Sequence, residues 1–242
     1  MSDTQTNPFI KSLASSEKKI RDNALESLRT YLTAQKQIAE LDLLKLWKGL
    51  FYCLWMQDKP ALQQQLSRDL AALVPVLRKA VVLPFIRAFW LTMAREWSHI
   101  EALRLDKYLY LIRQYLNTSF TFLARRHWKT TVLQEWNNIV EETPLEPTNM
   151  KIPNGLRYHV LDIWVDELAK VEEGWEKEEK RETLETLVQP IEKLAKEGKL
   201  KVLRVAAKEC LADERLRAWR GQEDEEMVDE EEEEEEEWGG FE

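Results

Sequence analysis

The sequence predicts an all-α fold, built as an α-solenoid of stacked helical hairpins or as an irregular helical bundle. Three observations favour this class. Apolar residues recur with helical spacing along nearly the whole 242-residue chain, no segment alternates apolar and polar residues between turn signals, and only 7 residues are glycine. All-β domains need glycine at turns and dinucleotide-binding folds need it around phosphates, so both are disfavoured. No fixed repeat period is visible, so any repeat is divergent.

Six apolar stripes of helical spacing occupy the first part of the chain. They span residues 20–32, 43–55, 62–77, 85–97, 109–116 and 132–140. Asp58 is positioned to cap the third helix, with Pro60 in its first turn. Pro75 and Pro84 are expected to break or bend the chain, because proline lacks a backbone donor and clashes with the preceding helical turn.

A proline-rich stretch, residues 141–155, follows and is predicted to be a loop and an internal boundary, since it holds three of the eight prolines. Helical spacing resumes over 156–168, 184–194 and 200–211, and Pro190 is expected to interrupt the second of these stripes. The predicted organisation is a basic helical part over 1–140, a loop over 141–155, a helical part of the same domain over 156–220 and a disordered acidic tail over 221–242.

The net charge of −9 conceals a strong asymmetry along the chain. Residues 223–242 contain fourteen acidic residues and no lysine or arginine, which leaves residues 1–222 with 35 basic and 30 acidic residues. Such an acidic run repels itself and is expected to be disordered. It carries two aromatic residues, Trp238 and Phe241, which are either a chance tail end or a docking motif. A partner with a basic rim and an apolar pocket would fit them.

Basic residues concentrate between residues 78 and 129, where only three acidic residues oppose ten basic ones. The densest cluster runs from Arg125 to Lys129 and includes Trp128, which is expected to be accessible. Such a surface suits contacts to a folded RNA backbone or to an acidic protein, and a solvated helix face is the alternative. The ten basic residues are Arg78, Lys79, Arg87, Arg95, Arg104, Lys107, Arg113, Arg125, Arg126 and Lys129.

Catalytic and metal-binding signals are weak. The sequence has no glycine-rich phosphate loop, GxSxG or HExxH motif, and the pairs Glu96–His99 and His159–Asp162 lack further ligands. No cofactor is therefore expected. Cys53 and Cys210 lie within apolar helical patterns and are interpreted as buried thiols of a reducing compartment. The longest uncharged stretch has eleven residues, whereas a membrane span needs about 20.

The run LWKGLFYCLWMQDKP at residues 46–60 resembles the signature of the eukaryotic ribosomal RNA-processing protein one (Nop fifty-two) family. Residues 19–28, 103–113 and 153–163 are similar to the same family in the same order, so that the resemblance covers residues 8–172. It implies a HEAT-like helical, non-enzymatic assembly factor of the nucleolus. Family members bind precursors of the large (60S) ribosomal subunit beside other assembly factors and support processing toward large-subunit and 5.8S RNAs.

In the signature and directly before it, Lys45, Lys48 and Lys59 lie on the polar side of the predicted helices. With the basic residues between 78 and 129 and Trp128, they form the candidate surface for rRNA or acidic partners. Two other functions stay open. The acidic tail is also typical of a chaperone for histones or basic ribosomal proteins, and Glu96 with His99 would suit a helical metalloenzyme.

Overall fold

The computed structural model describes residues 8–13, 15 and 17–221, and for residues 8–10 only the backbone. Eleven α-helices and no strands occur in this part of the chain, which confirms the all-α prediction. The predicted tail and its aromatic residues Trp238 and Phe241 lie outside the described residues. The helices are α1 (Pro8–Leu13), α2 (Lys18–Ala34), α3 (Glu40–Trp55), α4 (Pro60–Ala71), α5 (Lys79–Glu96), α6 (Leu105–Ala124), α7 (Thr130–Glu142), α8 (Asn154–Val171), α9 (Glu178–Glu197), α10 (Lys201–Leu211) and α11 (Glu214–Trp219).

The helices stack in two layers, because α1 and each helix from α3 to α8 pack against the helix two places further along the chain. One layer contains α1, α3, α5, α7 and α9, and the other contains α4, α6, α8 and α10. Contacts also join α1 with α2, α3 with α4 and α9 with α10, so successive helices form hairpins that cross between the layers. This arrangement is that of an α-solenoid, and it continues across the predicted loop, since α6 contacts α8 and α7 contacts α9.

Aromatic side chains fill the space between the layers. Trp47 of α3 is fully buried and its indole Nε1 donates to the carbonyl oxygen of Phe85 at 3.0 Å. Its ring centroid lies 5.0 Å from those of Phe85, Phe89 and Tyr115, which joins α3 to α5 and α6. Burying aromatic residues of this size supplies a large part of the hydrophobic stabilisation.

Proline affects the helices less than the sequence suggested. Pro84 lies inside α5 and Pro190 inside α9, and both helices continue through them. Each helix buries apolar residues on both sides of its proline, and this packing outweighs the local cost of about 3 kcal/mol. Pro75, by contrast, lies in a 3₁₀ turn (Val74–Val76) that separates α4 from α5, so the stripe over 62–77 is not one helix. The residue that precedes α4 as its N-cap is Lys59 rather than Asp58.

Arg157 organises the connection between α7 and α8, residues 143–153. Its guanidinium is buried and donates to the carbonyl oxygens of Glu146 (2.6 Å), Asn149 (2.8 Å) and Ile152. The Glu146 carboxylate lies 3.8 Å away and offsets the buried charge. A single arginine therefore satisfies three backbone carbonyls of a proline-rich loop.

Both cysteines carry free thiols. Cys53 is buried and Cys210 is half-buried, and burial raises the pKa of each thiol to about 12. A thiol with so high a pKa stays protonated and unreactive at neutral pH. No helix in the described part of the chain is long and apolar enough to cross a membrane.

Candidate nucleic-acid interface

A groove of about 550 Å³ opens on the layer of even-numbered helices, where α4 and α6 pack side by side. We call it the α4–α6 groove. It is lined by Arg68, Ala71, Ala72, Val74, Pro75, Leu77, Val82, Gln114, Asn117, Thr118, Thr121, Phe122, Arg125 and Arg126.

Helical periodicity explains how α6 supplies one wall of this groove. Gln114, Thr118, Thr121 and Arg125 recur at spacings of three or four residues, which brings them onto one face of the helix. At 1.5 Å per residue, this polar wall is about 17 Å long. The α4 side contributes small and apolar side chains, so the groove has an apolar floor, an amide and hydroxyl wall and cationic ends.

Three arginines give the groove its charge. Arg68 donates to the Tyr110 hydroxyl at 3.1 Å and to Gln65 Oε1 at 3.0 Å, which are both neutral partners. Arg126 lies with its guanidinium carbon 5.4 Å from the Phe122 ring centroid, and Arg125 is exposed. None of the described lining residues is acidic. No carboxylate among the described lining residues therefore balances the positive charge of the groove.

Other predicted contact residues are exposed but do not line the groove. Arg78 and Lys79 follow the groove residue Leu77 in the sequence, and both are exposed, as is Lys129. The Arg78 Nε donates to the carbonyl oxygen of Thr33 at 3.2 Å, which directs the side chain toward the end of α2. Lys45, Lys48 and Lys59 are exposed as well and also lie outside the groove.

Arg87 and Arg113 are engaged inside the fold. Arg87 bonds to Glu142 and to Glu40 (2.6 Å), which ties together α3, α5 and α7, and these bonds raise the pKa of its guanidinium. Arg113 of α6 bonds to Glu167 of α8 at 2.7 Å. Both arginines are only half-exposed, and carboxylates already balance their charge. We therefore leave them out of the proposed interface.

Arg104 and Lys107 cap the end of α3. The Arg104 guanidinium donates to the Trp55 carbonyl oxygen at 2.7 Å and lies 5.1 Å above the Trp55 ring. Lys107 is buried and its ammonium donates to the carbonyl oxygens of Trp55 (2.7 Å) and Gln57 (2.9 Å). Helix ends leave such carbonyls without intrahelical partners, so both cations have a structural role here. Lys107 is thus corrected from a surface residue to a buried one.

Trp128 is less accessible than the sequence analysis expects. It is half-buried, with its ring centroid 5.1 Å from that of the buried Trp175, and its Nε1 donates to Glu172. His127 and Trp128 both have φ of 51°, in the left-handed region. This backbone conformation turns the Trp128 side chain inward, away from the flanking Arg125 and Lys129.

The candidate metal pairs have other partners. Glu96 is buried and bonds to Arg95 (2.7 Å) and to the Tyr52 hydroxyl (3.2 Å), while His99 Nδ1 lies 3.6 Å from it. His159 Nε2 donates to the Leu109 carbonyl oxygen at 2.9 Å. Burial lowers the pKa of His159, which favours the neutral ring. Within the described residues, no group of three or more potential ligands could hold a metal ion.

Two residues that matter here were missed by the sequence analysis, Arg68 and Arg157. Arg68 is ten residues before the basic cluster and joins the groove only because α4 packs on α6. Arg157 falls in one of the segments that carry the family resemblance, yet nothing in its neighbours distinguishes a buried arginine from an exposed one.

A family model described as "Nucleolar protein, Nop52" matches residues 4–239. The chain belongs to the Nop52 nucleolar protein family. It is 44% identical over 169 residues to ribosomal RNA processing protein 1 homolog B of Homo sapiens, which covers 67% of this chain and 22% of that protein. Homolog A of Homo sapiens is 41% identical over 165 residues, covering 66% and 36%, and a Caenorhabditis elegans homolog is 32% identical over 164 residues, covering 66% and 41%. The chain thus spans less than half the length of these relatives.

The segments that carry the Nop52 resemblance meet in the core of the structure. Phe51, in the segment 46–60, stacks on Tyr108, in the segment 103–113, with ring centroids 4.4 Å apart. The Tyr108 hydroxyl donates to the Phe51 carbonyl oxygen. His159, in the segment 153–163, donates to the carbonyl oxygen of Leu109. Much of the sequence by which this Nop52 chain is recognised therefore holds α3, α6 and α8 together.

Proposed function

We propose that this chain is a non-enzymatic nucleolar assembly factor of the large ribosomal subunit precursor, and that the α4–α6 groove binds the sugar-phosphate backbone of precursor rRNA. Membership of the Nop52 family and the names of its rRNA-processing relatives support the first part. The observation that carries the second part is a groove with three arginines and no acidic residue among its described lining residues.

The chemistry of the groove suits RNA. Arginine guanidinium groups pair well with phosphate oxygens, and each such contact releases condensed counterions. Asn117, Thr118 and Thr121 offer amide and hydroxyl groups to the ribose 2′-hydroxyl, which distinguishes RNA from DNA. The contacts are spread along a helix and not focused on base edges, so the proposed mode positions the RNA backbone and reads little sequence.

The stacked hairpins supply a rigid, extended surface, and such surfaces bind partners without catalysing a reaction. The exposed lysines Lys45, Lys48 and Lys59 lie outside the groove and are proposed as contacts to other assembly factors or to further rRNA. In this proposal the chain works in the nucleolus, inside the particle, and supports processing of the 27S-type precursor by keeping its neighbours in place.

Sedimentation of the tagged chain from a lysate of its host cell tests the proposal. We expect the chain to migrate with large-subunit precursors, and the double variant Arg125→Glu/Arg126→Glu to shift toward free protein. The double variant Lys196→Glu/Lys208→Glu, at exposed positions outside the groove, is the matched control. Circular dichroism and urea unfolding confirm that both variants are folded. Unchanged co-migration of a folded groove variant would contradict the groove as the RNA-binding site.

A chaperone for histones or basic ribosomal proteins is the second candidate, favoured by the fourteen acidic residues in residues 223–242. Deleting these residues separates the two functions. A chaperone would lose its binding to free basic proteins, whereas a groove-bound assembly factor would keep its association with the precursor particle.

A further inference from the structure

The α4–α6 groove matches a second feature of this chain, the acidic segment at residues 223–242. This segment contains fourteen acidic residues, including eight consecutive glutamates, followed by Trp238 and Phe241. We propose that the groove binds this segment of the same chain, with the glutamates near the arginines and the two aromatic side chains on the apolar floor. Binding of the segment to the groove does not depend on RNA binding. The competition between the segment and RNA, described below, rests on the proposed function.

The charges of the two partners are complementary. Arg68 has only neutral partners among the described residues, and Arg125 and Arg126 form no salt bridge with a carboxylate there. Carboxylate–guanidinium pairs are among the stronger hydrogen bonds in proteins. The glutamate run ends directly before Trp238, so an aromatic residue on the floor of the groove brings carboxylates to its rim.

The shapes are compatible as well. The floor is formed by Val74, Pro75, Leu77, Val82 and Phe122, and a volume of about 550 Å³ is within the range of pockets that enclose organic ligands. Trp238 and Phe241 are three residues apart, at most about 10 Å in an extended chain, and the polar wall is about 17 Å long. Gly239 and Gly240 between them leave room for the backbone to approach α6 closely.

The segment is long enough to reach the groove. The described chain ends at Gly221 beside α9, where Arg220 bonds to Glu185 and Glu192. α9 packs on α10, and α10 is two helices from α6 in the even layer, so α9 and α6 are separated by about 30 Å at the usual helix spacing. The 17 residues from Gly221 to Trp238 extend to about 55 Å.

The tether makes even a weak contact effective. A short flexible linker gives an effective concentration in the millimolar range, so a dissociation constant of that order occupies the groove in about half of the molecules. RNA that offers several phosphates at once displaces the segment, while weakly bound RNA does not. The acidic segment thereby sets a threshold that selects the intended precursor over other RNA.

Site-specific photo-cross-linking in the full chain tests whether the acidic segment binds the groove. A benzophenone amino acid replaces Trp238, and mass spectrometry locates the cross-links. We expect them within residues 68–82 and 114–126, in a product with the mass of one chain. The triple variant Arg68→Glu/Arg125→Glu/Arg126→Glu should lose these cross-links, and the control Lys151→Glu/Lys196→Glu/Lys208→Glu should keep them. Cross-links elsewhere, or only between two chains, would overturn the proposal.

Binding to a single-stranded RNA separates the failure of this inference from that of the proposed function. The full chain with Trp238→Ala/Phe241→Ala should bind the RNA several-fold more tightly than the unaltered chain. If the chain forms groove cross-links but binds no RNA, the proposed function is contradicted and the binding of the segment to the groove is supported. A third outcome would contradict only the binding of the segment to the groove. In it, RNA binds through the groove, the double variant binds RNA with unchanged affinity, and no groove cross-links form.

Discussion

The ammonium of Lys107 donates to the carbonyl oxygen of Trp55 at 2.7 Å and so closes the end of α3 from a position on α6. The same ammonium bonds to the Gln57 carbonyl oxygen at 2.9 Å. Burial, with a smaller contribution from Arg104, lowers the pKa of Lys107 to about 8. A lysine in the most basic part of the sequence is thus a buried link between the two layers.

Replacing Lys107 by alanine should destabilise the fold. Each of the carbonyl oxygens of Trp55 and Gln57 would lose one of its two side-chain donors, and hydrogen bonds to a charged group contribute about 1.5–3 kcal/mol. Urea unfolding measures the free-energy difference. Lys45→Ala, at an exposed position on α3, should change it by less than about 0.5 kcal/mol. Equal stability of the two variants would refute the capping role.

The stability contributed by Lys107 should depend on pH. Its folded pKa of about 8 lies below the ordinary value of 10.5, so between these values the unfolded chain binds a proton that the folded chain has released. Folding stability therefore rises with pH in this window, by up to about 1.4 kcal/mol per unit. Arg104 and Asp58 are the charged groups that face the ammonium.

Urea unfolding of the unaltered chain and of Lys107→Met at pH 7, 8, 9 and 10 isolates this effect, because the other titrating groups are common to both. We expect the stability of the unaltered chain to gain on that of the variant above about pH 8. Parallel pH profiles would show that the ammonium keeps its ordinary pKa in the fold.

Arg157 should be essential to the connection between α7 and α8. Replacement by lysine leaves the carbonyls of Glu146, Asn149 and Ile152 without the fork of donors that joins them, at a cost of about 3 kcal/mol or more. Limited proteolysis should show faster cleavage within residues 143–153, and urea unfolding should show the lost stability. Lys151→Ala, exposed in the same connection, serves as the control and should be cleaved at the unaltered rate.

Neutralising the groove should reduce the salt dependence of RNA binding. For single-stranded RNA, log K falls with log salt at a slope of about 0.7 per phosphate contact. Replacing Arg68, Arg125 and Arg126 by alanine should lower the magnitude of the slope by about 2, as measured by fluorescence anisotropy at several salt concentrations. Alanine at Lys151, Lys196 and Lys208 should leave the slope unchanged. If the slope of the groove variant is also unchanged, Arg68, Arg125 and Arg126 are excluded as phosphate contacts.

The helices could be predicted because their signal is local. Apolar spacing of three and four residues identified each of the helices α2 to α10, with ends that differ from the structure by up to eight residues, and the proline-rich loop fell between α7 and α8. The errors at Pro84 and Pro190 arose where tertiary burial outweighs a local cost. The short α11 was missed, although Asp213 caps it by accepting from the Arg215 backbone.

The candidate site could be predicted only as a region. Charge density correctly pointed to Arg125 and Arg126 as exposed or half-exposed cations, but it counted Lys107 and Arg87 with them. A charge becomes a surface contact or an internal bond according to which carbonyls and carboxylates another helix brings to it. Those partners lie about 50 residues away in the chain, beyond any periodic pattern.

The sequence by itself determined the all-α class, the positions of most helices, the separation of a basic body from an acidic segment and the family. All of these depend on composition or on neighbours within one or two helical turns. Only the tertiary structure decided which arginines stay without acidic partners, because α4 must pack on α6 before Arg68 meets Arg125 and Arg126 across one groove.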